Sequence, residues 1–164
     1  MKLFSAVKEK KLAKAQLRCI EKFAVPGDSD RILDITDGSE DIPVMLSGGR
    51  KKFYSINISP EEEAASFEQL SFSGRGRAEE LPYNDNMFDL VCSAGTLDLW
   101  EDRDKALREI LRVLAEGGSF VMTAEISEEE ARELRRDARE AGFKQVAVKV
   151  IEKDRAYCLI SEKE

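Results

Sequence analysis

Residues 88–93, Phe88-Asp89-Leu90-Val91-Cys92-Ser93, are apolar at almost every position, the signature of a strand covered on both faces. Such a strand belongs inside a parallel sheet with helices above and below, and that sheet needs a chain alternating strands with helices. The rest of the sequence supplies the alternation. Lys8 to Phe23 reads as a helix, stopped by Val25-Pro26-Gly27. Ile32, Leu33 and Ile35 mark a first strand, followed by a short helix near Ser39 to Leu46 closed by Gly48 and Gly49. Residues 52–59, KFYSINIS, give a second strand. Ser59, Pro60 and Glu62 then form a helix start, with a cap, a proline at the first helical position and a capping box, for a helix to about Gln69. Leu70 to Arg77 fits a short edge strand weakened by Gly74 and Gly76, and Pro82 to Met87 is a loop.

Beyond residue 93 the series Ala106, Leu107, Ile110, Leu111 and Leu114 predicts an amphipathic helix from Asp102, stopped by Gly117-Gly118, with a strand over Ser119 to Ala124. Ser127 and Glu130 cap another helix, which carries Leu134, Ala138 and Ala141 and ends at Gly142. Strands over Gln145 to Ile151 and Ala156 to Ile160 follow, joined by the turn Glu152-Lys153-Asp154-Arg155. The expected fold is therefore α/β: a three-layer, Rossmann-like, mostly parallel sheet closed by an antiparallel C-terminal hairpin. At 164 residues the chain suits one core and is short for two, so residues 1–164 are expected to form a single domain, with helix 8–23 flanking it.

Composition narrows the function. Acidic residues outnumber basic ones 33 to 26, for a formal charge of −7, and the bases are interspersed with acids. Nucleic acid and anionic membrane surfaces are thus disfavoured as partners. No window reaches the ~18 apolar residues of a membrane span, and the N-terminal stretch has no leader-like apolar core. Cys19, Cys92 and Cys158 are odd in number and far apart in sequence, which suits buried thiols in a reduced, cytoplasmic setting. Histidine is absent, which removes the commonest general base, the commonest metal ligand and every Ser-His or Cys-His nucleophile. No residue set suggests a metal site.

The first strand runs into Arg31 to Glu40, RILDITDGSE, where an acidic, glycine-containing turn opens a helix. In open α/β sheets such a corner is where nucleotide-like ligands bind. This corner, together with Gly76 to Met122 (GRAEELPYNDNMFDLVCSAGTLDLWEDRDKALREILRVLAEGGSFVM), resembles class I S-adenosylmethionine-dependent methyltransferases, in particular the small-molecule branch of ubiquinone and menaquinone biosynthesis. The resemblance runs from about Arg18 to the end of the chain. It implies a seven-stranded sheet with a reversed last strand, S-adenosylmethionine as cofactor and methyl transfer to a small molecule.

The implied cofactor residues are Asp34, Thr36 and Gly38 in the first motif, Asn57 at the end of the second strand, Ala78, Glu79 and Leu81 in the third motif, and Ser93 at the end of the fourth strand. The motif departs from the family's D-x-G-x-G-x-G. Thr36 and Glu40 stand where glycines let the backbone approach the ligand, and both side chains are expected to intrude. Asn57 replaces an acid that accepts from ribose hydroxyls, and Arg77 replaces the acid that partners the adenine amine. Asp98 is the candidate base and Trp100 a candidate pocket wall, whereas Glu101 and Asp102 also read simply as the acidic start of the next helix. Two functions stay open: a divergent methyltransferase, and a non-catalytic methyltransferase-like module that binds or regulates a protein partner.

Overall fold

The computed structural model describes residues 2–27, 30–38, 42, 46, 52–60 and 72–164. Its elements are α1 (Lys2–Phe23), β1 (Arg31–Thr36), β2 (Lys52–Asn57), β3 (Phe72–Arg75), β4 (Phe88–Ala94), a 3-10 turn (Leu97–Leu99), α2 (Arg103–Val113), β5 (Leu114–Ala124), α3 (Glu128–Ala141), β6 (Lys144–Glu152) and β7 (Ala156–Glu162). The seven strands form one sheet in the order β3-β2-β1-β4-β5-β7-β6. The first five strands are parallel, and β7 runs antiparallel to both β5 and β6. The expected reversed hairpin is therefore present. Its sequence origin is the tight Glu152 to Arg155 turn, too short for a parallel crossover.

Strand alternation sorts side chains into two apolar layers. On β1, Leu33 and Ile35 join Phe88, Val91, Phe120 and the apolar faces of α2 and α3. Ile32 points the other way, with Leu90, Cys92, Val121 and Cys158, against Ile20 of α1. Ile42 and Leu46, both helical, are buried in that second layer. The remaining residues of the expected 39–46 helix, and most of the helix expected from Ser59 to Gln69, lie outside the described residues. No helix among the described residues is long and apolar enough to cross a membrane.

Helix α2 starts where Asp102 caps it by accepting from the Lys105 N–H at 3.0 Å, and it buries Ala106, Leu107, Ile110 and Val113. Helix α3 has a complete Ser127–Glu130 capping box and buries Ala131, Leu134 and Ala138. It ends at Gly142, φ 118°, where a Cβ would lie 2.9 Å from the Leu111 side chain. A glycine there both terminates α3 and lets α2 pack against its end.

Two boundaries differ from expectation. Helix α1 begins at Lys2 rather than Lys8, since no glycine or proline interrupts residues 2–23. Helix α2 stops at Val113, and β5 starts at once with Leu114 instead of at Ser119. Gly117 and Gly118 do not separate the elements; they sit in an irregularity of β5, between the Phe88↔Leu114 and Leu90↔Ser119 pairs. A Cβ on Gly118 would come within 2.8 Å of the Ala115 carbonyl, so the bulge itself needs glycine.

Candidate functional site

Strand order reverses between β1 and β4, because the chain proceeds outward from β1 through β2 and β3 and then returns to β1's other side. The crevice at the C-terminal ends of these strands is the site such sheets offer a ligand. Thr36 is in register with Asn57, and Ile35 with Ser93, so the ends of β1, β2 and β4 are level.

The turn after β1 is held by its own side chains. The buried Thr36 hydroxyl accepts from the Gly38 N–H at 3.0 Å, and the Thr36 carbonyl accepts from the Ile58 N–H at 2.9 Å. Thr36 thus folds onto its own turn; Glu40 lies outside the described residues. Gly38 has φ 105°, and a Cβ on it would sit 3.1 Å from the Asn57 amide nitrogen. Asn57 is buried, and its Oδ1 accepts from the Ser59 N–H at 2.8 Å, the ordinary turn chemistry of a strand-end asparagine. Its amide nitrogen faces the turn at Gly38.

Asp34 is the electrostatic anomaly. It is 1% exposed, and its Oδ1 has no hydrogen-bond partner. Burial, reinforced by Asp37, pushes its carboxyl well above the usual range. Its register partner on β4 is Cys92, whose thiol is raised by burial and then by Asp34.

The third-motif residues make structural contacts. Ala78 and Leu81 lie in the main core. Glu79, 3% exposed, accepts through Oε1 from the N–H groups of Glu101 at 2.6 Å and Asp102 at 3.1 Å, just ahead of α2. Arg77 turns outward, with Nη2 at 2.5 Å from Glu101 and Nε at 3.8 Å from Glu79. Ser93 is fully buried, donates to the Ile35 carbonyl at 2.9 Å and bonds the Thr96 hydroxyl. It ties β4 to β1 across the crevice floor.

Asp98, exposed on the 3-10 turn, lines a cleft of about 480 Å³ beyond β4 and β5. Leu97 and Ile126 give the cleft apolar walls, while Glu125, Glu130 and Arg103 make it polar. Arg103 is drawn toward Asp137 at 3.2 Å, and Gln16 of α1 donates to Glu125 at 3.0 Å. Trp100 lies apart from the cleft, 8% exposed in the core, with its indole N–H unpartnered. No group of three or more His, Cys, Asp or Glu side chains among the described residues could hold a metal ion.

Sequence reasoning missed one organiser of this region. Arg112 donates to both oxygens of Glu109, to Asp85 and to the carbonyls of Leu81 and Tyr83, clamping the 81–85 loop onto α2. Its only sequence signal is the i,i+3 pair with Glu109, which resembles ordinary helix surface chemistry.

A family model described as a methyltransferase domain matches residues 33–122, more than half of the chain. The ubiquinone/menaquinone biosynthesis C-methyltransferase UbiE of Idiomarina loihiensis is 32% identical over 103 residues, covering 56% of this chain and 41% of that protein. The chain therefore spans less than half the length of that relative. Among solved structures, a complex between the Haloferax volcanii Trm112 methyltransferase activator and its methyltransferase gives a TM-score of 0.72 at 18% identity, over 96% of this chain and 94% of that one. The [4+2]-cyclase SpnF gives 0.75 at 18% identity, over 92% and 81%. At that identity the two structures speak for the fold alone. The family match, which begins inside β1 and ends inside β5, spans the strands that build the switch-point crevice: the chain belongs to the methyltransferase domain family.

Proposed function

We propose that the chain binds S-adenosylmethionine at the ends of β1, β2 and β4 and transfers its methyl group to a small molecule held in the cleft beside Asp98. The observation that carries this reading is the family match across the strands that build the crevice. Two features of the crevice fit the cofactor. Gly38 opens a left-handed turn that a side chain would close, and the orphaned Asp34 Oδ1 is a buried acceptor suited to a ligand carrying positive charge. Asp34, Gly38 and the Asn57 amide would hold the cofactor, while Thr36, Ala78, Glu79, Leu81 and Ser93 shape the backbone around it. The first motif is read here as divergent, with the Thr36 hydroxyl turned onto the Gly38 N–H.

When bound, the cofactor supplies a methyl carbon on a sulfonium, open to in-line attack by an oxygen, nitrogen, sulfur or carbon nucleophile. The protein's part is to align the reactants and exclude water, for which no histidine is needed. Asp98, exposed at the cleft, is placed to accept a proton from a hydroxyl or amine. We place the chain in the cytoplasm as one domain, consistent with its three free thiols.

Thermal unfolding with S-adenosylhomocysteine tests the reading. A ligand at ~100 times its dissociation constant adds about 2.7 kcal/mol, a shift of several degrees for a domain of this size. Gly38→Ala should abolish the shift. No shift at millimolar S-adenosylmethionine or S-adenosylhomocysteine would overturn the proposal and leave the fold as a non-catalytic module.

A further inference from the structure

A second concave surface lies away from the strand-end crevice. A groove of about 410 Å³ runs between α3 and β6, one of the two edge strands of the sheet. Its floor is apolar, made by Ala131, Val148, Val150 and Tyr157. Val150 is 64% exposed, an unusual state for a valine on a strand whose face has a helix beside it. Around this floor stand Arg132, Arg135 and Lys153 against a single acid, Glu128, which is ion-paired with Arg132. The rim is therefore basic on a chain whose formal charge is −7. Lys153 has no ion-pair partner among the described residues.

The edge of β6 beside the groove is also open. Among the described residues β6 pairs only with β7, and Ala147 to Val150 keep continuous register with Ile160 to Tyr157 between two irregularities. The outer N–H and C=O groups of this segment can pair with one more strand.

We propose that the β6–α3 groove docks an extended acidic segment of a partner protein. The segment adds a strand along Ala147 to Val150. Side chains of one parity then face the groove, an apolar one seating on Val148 and Val150 and acidic ones meeting Arg132, Arg135 and Lys153. The open strand edge calls for a main-chain partner, and the basic rim calls for carboxylates; an acidic peptide supplies both.

Panning random peptides of about twelve residues, displayed on phage, against the intact chain tests this. Enrichment of sequences with Asp or Glu flanking Leu, Ile, Val or Phe is expected. A selected peptide, fluorescein-labelled and followed by anisotropy, should bind at least tenfold more weakly to Val150→Asp and to the double variant Arg132→Glu, Lys153→Glu. Lys8→Glu on the exposed face of α1 should leave binding unchanged. Circular dichroism melts confirm that the variants fold, since all these positions are exposed. No enrichment, enrichment of basic or uncharged peptides, or binding indifferent to Val150→Asp would overturn the proposal. So would competitive displacement of the peptide by laurate at micromolar concentration, which would mark a small-amphiphile site, or a dimer in sedimentation that Val150→Asp dissolves, which would assign the groove to a second copy.

Discussion

Replacing Glu79 separates scaffolding from ligand contact in the loop before α2. Its carboxylate is 3% exposed and accepts two N–H groups through one oxygen, Glu101 at 2.6 Å and Asp102 at 3.1 Å. Bonds of a backbone N–H to a charged acceptor contribute about 1.5–3 kcal/mol each. Glu101 and Asp102 are themselves exposed, so water recovers part of that loss in Glu79→Ala, and a net cost of about 2–4 kcal/mol remains. For a domain of this size the melting temperature should drop by roughly 6–12 °C. Glu79→Gln keeps an acceptor oxygen but loses the charge that roughly doubles such bonds, so its drop should be about half as large. Circular dichroism melts with and without S-adenosylhomocysteine give both readouts. Both variants should keep the ligand-induced shift. Melting temperatures within a degree of wild type, or a Glu79→Gln variant of normal stability that no longer responds to ligand, would refute the reasoning and make Glu79 a cofactor contact.

Asp34→Asn should stabilise the ligand-free protein at neutral pH. Burial raises the native carboxyl's pKa, so between the ordinary carboxylate range and that raised value the folded state holds a proton that the unfolded state has lost. Stability therefore falls as pH rises through this window, and the variant removes that fall. Melts between pH 3.5 and 8 should show the variant's advantage growing with pH; parallel curves would sink the idea. Arg112→Ala should cost about 1.5–3 kcal/mol, discounted for a guanidinium about one-third exposed, or roughly 5–9 °C in melting temperature. Arg112 also holds the Glu109 carboxyl below its usual range, chiefly by hydrogen bonding. That contribution is full above the ordinary carboxylate range and is lost as pH falls through the lowered value, so the gap between wild type and Arg112→Ala should narrow on acidification. Asp98→Asn should lower methyl-transfer kcat by about 10²-fold or more if Asp98 takes the proton, and leave S-adenosylhomocysteine binding unchanged; an unaltered kcat would remove it from the chemistry.

Most of the architecture was legible in the sequence because its signals are local. The continuous apolar run of residues 88–93, the capping box at Ser127 and Glu130, the Gly142 stop and the tight turn at 152–155 each act within a few residues. From them follow the helical layers on both faces and the reversed final hairpin. The misplaced start of β5 shows the limit. A Gly-Gly pair reads as a break between elements, and only pairing with β4 turns it into a bulge inside a strand.

For the site, the chain by itself determined the family-like corner at residues 31–40, the absence of histidine and the place of Asp98 beyond β4. What each polar side chain does there was decided by the tertiary structure. Glu79 meets N–H groups more than 20 residues away, Ser93 meets a carbonyl on β1, and Arg112 reaches back to residues 81–85. Asp34, read from sequence as the first-motif aspartate at the end of the first strand, becomes the buried carboxyl without a partner on Oδ1. A carboxylate or hydroxyl looks the same in sequence whether its hydrogen bonds go to a ligand, to water or to its own fold. That choice depends on which backbone groups the sheet and helices bring within about 3 Å of it, and those groups come from distant parts of the chain.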